Sequence, residues 1–118
     1  MITLLKVLPS QKENKKYTAY FTDNNKEKIA HFGLKGSSDY LIHKDKERRK
    51  RYLIRHKNDL NTNNPIKPGY AALFLLWGRT TSLAGNIKIY KSLLKKYNET
   101  QDIKIFYDEY NKLLKEKL

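Results

Sequence analysis

The sequence predicts an α+β fold: a small N-terminal antiparallel sheet, made of a β-hairpin plus one strand, followed by three or four helices. Two observations carry this. Residues 2–33 hold β-branched and aromatic residues in short runs ended by Pro9, by the cluster Asp23–Asn25 and by Gly33. Beyond residue 39, apolar residues recur at three- and four-residue intervals instead. The length of 118 residues suits one domain with a small core.

The elements follow in order. Ile2–Leu8, ITLLKVL, reads as the first strand and stops at Pro9. Lys16–Thr22, KYTAYFT, alternates and is rich in aromatics; Asp23–Asn25 tolerate left-handed backbone, and Glu27–Gly33 returns as the partner strand. A hairpin alone is marginal in water, so this sheet requires helical cover. Gly33–Ser38 is a loop, and the first helix starts near Asp39 or Asp45 and runs to about Lys57. Asn58–Gly69 is a second loop. Pro68 opens a short apolar helix that Gly78 ends. Thr81 or Ser82 caps the next helix, whose Leu83, Ile87, Tyr90, Leu94 and Tyr97 share a face. Gly85 inside it costs roughly 1 kcal/mol against alanine, which predicts close packing there. After the polar break Asn98–Gln101, a last helix carries Ile103, Phe106, Tyr110, Leu113 and Leu114 on one stripe. Residues 1–97 are therefore expected to form the domain. Residues 98–118 form a helix that either completes the core or docks in a partner's groove.

Composition narrows the function. The net charge is +13, from 25 Lys and Arg against 12 Asp and Glu, so the surface attracts polyanions: nucleic acid, anionic lipid or an acidic protein. Without cysteine, disulfides and thiolate metal sites are excluded. The longest apolar run, Tyr70–Trp77, is far shorter than the ~18 residues of a membrane span. The first residues lack the long apolar region of a signal peptide, so the expectation is a protein made inside a cell.

The charge is concentrated in Lys44–Lys57, where Lys44, Lys46, Arg48, Arg49, Lys50, Arg51, Arg55 and Lys57 face only Asp45 and Glu47. These eight cations are the candidate polyanion- or partner-binding residues. On a helical wheel, Asp45, Arg48, Arg49, Tyr52 and His56 cluster on one side, and Lys46, Lys50 and Lys57 lie together elsewhere. The arginine side predicts partly buried, structural guanidinium groups, with Asp45 or another acid as partner of Arg49. The lysine side is the expected polyanion face. Asp45–Arg49 and Glu47–Arg51 have the spacing of helical ion pairs.

Recognisable catalytic motifs are missing: there is no phosphate-binding glycine loop and no Gly-x-Ser-x-Gly elbow. His31, His43 and His56 lack the spacing of a metal site, so no cofactor is expected. A platform stacking bases through Tyr17, Tyr20 and Phe32 is a weaker alternative to a packed sheet face.

Residues 31–56, HFGLKGSSDYLIHKDKERRKRYLIRH, and then 64–97, NPIKPGYAALFLLWGRTTSLAGNIKIYKSLLKKY, resemble a group of small basic proteins of nucleocytoplasmic large DNA viruses. The likeness extends over about Tyr17–Tyr97 and rests on Gly33, Asp39–Tyr40, His43–Lys44–Asp45, Arg55–His56 and Leu76–Trp77–Gly78. The first strand and the helix after Tyr97 depart from the pattern. The resemblance carries over no assigned biochemical role. It implies a virion component made in the host cytoplasm, and capsid or other virion proteins as partners. The resulting expectation is a non-catalytic minor capsid or cement-type protein that bridges larger subunits. The alternative is a nucleic-acid-binding protein that condenses or organises the genome.

Overall fold

A computed structural model describes residues 1–117. Its sheet has three antiparallel strands in the order β1-β2-β3, with β1 at Ile2–Pro9, β2 at Lys15–Asp23 and β3 at Lys26–Leu34. Asn24 and Asn25 both take positive φ, which closes β2 and β3 in a two-residue turn with Asp23 paired to Lys26. Period-two alternation then divides the sheet. Leu4, Ala19, Phe21, Ala30 and Phe32 are buried on the inner face, and the Tyr17 ring stacks 5.9 Å from Phe32. On β1 the register shifts between Leu4 and Lys6, so Leu5 bulges outward and is half exposed.

The helical part follows the predicted order with finer divisions. The single helix expected over about 39–57 is two: α1, Tyr40–His43, and α2, Lys46–Arg55. Lys44 separates them with φ of 57°, a left-handed residue that ends α1. Both candidate starts are therefore used, Asp39 preceding α1 and Asp45 preceding α2. Lys57–Thr62 forms 3₁₀ turns where a loop was expected. Pro68 opens α3, Pro68–Ala71, which runs into a π-helical turn, Ala72–Leu76. Gly78 stops it: a β-carbon there would collide with the Phe74 carbonyl oxygen. Ser82 caps α4, Leu83–Thr100, by accepting from Gly85 N–H at 3.1 Å. The last helix, α5, covers Lys104–Lys115.

The polar break placed at Asn98–Gln101 lies largely within α4, whose end is marked by Gln101 at φ 57°. Polar residues at a helix end resemble a linker in composition, but here their backbone still completes helical turns. Asn98 also reaches back to the first strand, accepting from Ile2 N–H at 2.9 Å and donating to Ile2 C=O at 2.8 Å.

The partner-docking reading of α5 is corrected. Phe106, Tyr110 and Leu113 are buried in the chain's own core, with Ile103 and Leu114 half-buried against it. The Phe106 ring sits 5.5–5.6 Å from Tyr70, Phe74 and Tyr90. Burying one such ring stabilises by roughly 1.5–3 kcal/mol, so α5 is part of the domain.

Candidate polyanion interface

The interface begins with how α2 is started and held. Asp45 accepts from the backbone N–H of Glu47 at 2.9 Å and of Arg48 at 3.3 Å, a cap worth about 1 kcal/mol. That use of the carboxylate replaces the expected Asp45–Arg49 pair. Arg49, 1 % exposed, points inward instead. It donates to the Gly78 carbonyl at 2.9 Å and to Glu116 Oε2 at 2.7 Å, with its guanidinium 4.6 Å from the centre of the Tyr40 ring. Its Nε is buried without a partner among the described residues. The expectation of a structural arginine is met at Arg49, with a different acid from Asp45, and not at Arg48, which is exposed.

Glu116 also takes Lys46 at 2.8 Å. Burial acts to raise its carboxyl, but the hydrogen bonds from Lys46 and Arg49 outweigh this and hold it below the usual glutamate value. Tyr110 donates to the Leu53 carbonyl at 2.6 Å, and the Leu53 side chain is fully buried. Hence α5, through Tyr110, and Glu116 just after it brace the inner side of α2 at two levels. A further clamp is aromatic. Tyr52 lies between His56 and Trp77, both 4.0 Å away centre to centre, and Trp77 in turn approaches His43 at 5.2 Å. Burial and the charge of Asp59 push the Tyr52 phenol up to about 12.

Two of the eight predicted cations are consequently not free for a partner: Arg49 is buried and Lys46 is paired. The expected lysine face is thereby broken, since Lys46 turns to Glu116 and Lys57 lies beyond α2, in the 3₁₀ turns. What remains outward is a mixed arginine and lysine side. Arg48, Lys50, Arg51 and Arg55 on α2, with Lys44 before it and Lys57 after it, are exposed and have no ion pair among the described residues. Glu47 is on this side too, but its expected pairing with Arg51 does not form. Six cations on a rigid helix and its flanks can attract an anionic surface and hold it in register.

Elsewhere the aromatic platform does not assemble. Tyr17 and Phe32 face the core side of the sheet, whereas Tyr20 pairs with Lys6 on the other face, its ring 5.1 Å from the Lys6 ammonium. Among the described residues no three His, Asp or Glu side chains come together as a metal site would require.

Sequence reasoning missed Glu116 and Asn86. The signal for Glu116 was an acid among lysines at the C-terminal end of a helix, where the dipole disfavours it unless a cation from elsewhere answers it. Asn86 is buried and fully used: it donates to the Leu75 and Thr80 carbonyls and accepts from the Thr80 N–H and hydroxyl. It thereby secures the loop after the π-helical turn.

Residues 5–56, less than half of the chain, match a family of unknown function (DUF5754), a span that begins within β1 and takes in β2, β3, α1 and α2. No curated protein and no solved structure matches the chain.

Proposed function

We propose that this chain is a non-catalytic structural protein that holds nucleic acid against the outward side of α2. The observation that carries the reading is the division of one helix: Arg49, Leu53 and Tyr52 fix the inner side, and Arg48, Lys50, Arg51 and Arg55 stand outside without acidic partners among the described residues. Solvated, unpaired cations release phosphate counterions on binding, whereas cations already matched by carboxylates do not. The virion setting rests on the resemblance of residues 17–97 to small basic proteins of large DNA viruses. A minor capsid protein bridging larger subunits would use the same face on acidic protein. Burial of the α5 stripe removes the docking helix that reading relied on, and so favours nucleic acid.

The test is the triple variant Lys50→Gln, Arg51→Gln, Arg55→Gln, titrated with a short DNA duplex over a range of salt. The slope of log K against log salt is expected to shrink by about 0.9 for each phosphate no longer neutralised, with thermal unfolding unchanged. A slope equal to that of the unaltered protein overturns the reading. No duplex binding, together with binding to an acidic protein surface, would move the function to subunit bridging.

A further inference from the structure

A second row of free cations lies on α4. Lys88, Lys91 and Lys95 recur at helical spacing, so they stand within about 60° of one another and spread over roughly 10 Å of the helix. The other side of α4 faces the core, with Asn86, Tyr90, Leu93 and Leu94 buried. All three lysines are exposed, and none has an ion pair among the described residues. Like charges three and four residues apart on a helix repel, and the chain sets nothing against this. Ala84 and Ser92, which share this side, are neutral; Glu99, the single acid of α4, stands four residues beyond Lys95 without closing a pair. An anion from outside the chain that meets the row relieves the repulsion.

The form of the row defines the anion. A small anion needs donors that converge on it, whereas a line of ammonium groups suits an anion that repeats; a duplex carries one charge about every 1.7 Å of its axis. A lipid surface repeats as well, but a helix lying on lipid buries large apolar residues there, and α4 exposes none. The position of the row separates it from α2. Lys91 and Lys95 border a groove with residues 1–4, at the end of the sheet where Ile2 pairs with Asp23. Tyr52 and His56 border a cleft with Lys15 and Leu34, the pair at the other end. The strands between those ends measure roughly 25 Å. We infer that Lys88, Lys91 and Lys95 form a second phosphate-binding row for nucleic acid, at the end of the sheet away from α2. The inference rests on the nucleic-acid reading for the class of its ligand. One duplex lying along both rows and two duplexes joined by one chain share this chemistry.

The variant Lys88→Gln, Lys91→Gln, Lys95→Gln keeps good helix formers at exposed positions, so its thermal unfolding is expected to match the parent's. Parent and variant are titrated over a range of salt with a 20-base-pair duplex, long enough at about 3.4 Å per pair to outrun the sheet. Each is also mixed with a labelled duplex and with beads that hold an unlabelled one, and the captured label is measured. The variant is expected to show one of two losses. If one duplex lies along both rows, the slope of log K against log salt shrinks by about 0.9 for each phosphate no longer neutralised. If two duplexes are joined, the slope holds and capture on the beads falls about tenfold. Either loss supports the second row and assigns its geometry. A variant equal to the parent in both slope and capture overturns it. So does binding to phosphatidylserine vesicles that the variant loses while slope and capture stay unchanged, which would assign the row to a membrane surface. The Lys50, Arg51, Arg55 variant keeps the two readings apart. An unchanged slope in that variant, beside a loss in the α4 variant, sinks the α2 interface and leaves the row standing; the reverse pattern sinks only the row.

Discussion

Arg49 and Arg51 stand two residues apart on α2 and have almost nothing else in common. Arg49 is 1 % exposed and is held by a carbonyl, a carboxylate and a ring; Arg51 is exposed and unpaired among the described residues. A desolvated cation is costly unless all sides are answered, and removing one answer leaves the charge stranded. A solvated one contributes little to stability and is available for function. Net charge therefore overstates what a partner can meet: in Lys44–Lys57, Arg49 and Lys46 belong to the fold, and the other six belong to the surface.

The comparison can be broken most directly at Arg49. Arg49→Ala is expected to lower unfolding free energy in urea by about 3–5 kcal/mol, because the buried Gly78 carbonyl loses its donor, Glu116 is left with Lys46 alone, and the removed side chain leaves a cavity in the core. Arg51→Ala should stay within about 0.5 kcal/mol of the parent. Equal losses in the two variants would erase the distinction between the sides.

A smaller effect is expected from the acid partner. Glu116→Gln keeps a hydrogen-bond acceptor and removes the charge, for a loss of roughly 1–3 kcal/mol near neutral pH. The Glu116 carboxyl is held below its usual 4.5 by Lys46 and Arg49, against the opposing effect of burial. Its contribution is thus fully present above about pH 4.5 and is lost as pH falls through the folded value. Melting temperatures followed from pH 6 to pH 3 should drop less steeply in Glu116→Gln than in the parent. Parallel curves would mean that the pair does not hold α2 to the C-terminal segment.

The smallest expected effect concerns His43, which sharpens the boundary between the two sides. Its Nδ1 accepts from Asp45 N–H at 3.0 Å, which fixes the neutral ring with the proton on Nε2. Burial first, and then the Arg48 charge, lower its pKa below 6.5, with Asp45 and Asp39 opposing. The unfolded chain therefore takes up this proton before the folded one. The His43 contribution to stability is whole above pH 6.5 and fades as pH falls through the folded value. An imidazole titration followed by NMR should have its midpoint below 6.5; one above it would place His43 on the solvated side.

The strands and the capped start of α4 were legible because their causes are local. Alternation, Pro9, the Asn24–Asn25 turn and Ser82 act within a few residues of themselves. Structural arginine was legible as a type, from the side of the wheel that Arg49 shares with Tyr52. Its partner was not, since Glu116 lies 67 residues away and only tertiary packing brings it near. The split between α1 and α2 escaped for a related reason. Lys44 has no intrinsic preference for left-handed backbone, and the tertiary fold imposes it. Hydrophobic spacing placed the α5 stripe on one face, but spacing alone is the same for a core and for a groove on another protein.

Asn98 offers Ile2 both a donor and an acceptor, as a neighbouring strand would, and does so across 96 residues of chain. The open edge of β1 is thus answered at its start by a side-chain amide and near its end by Pro9, which has no N–H to offer. The closure also orders events in time. A chain leaving the ribosome can pair β1, β2 and β3 early, but the first strand keeps an uncovered edge until α4 has emerged and wound. During that interval the nascent sheet is open to its neighbours on the same message, and a chaperone or slow local synthesis would matter most between residues 34 and 98. Contacts of such long range slow folding in general, and here they make the first strand among the last to be secured.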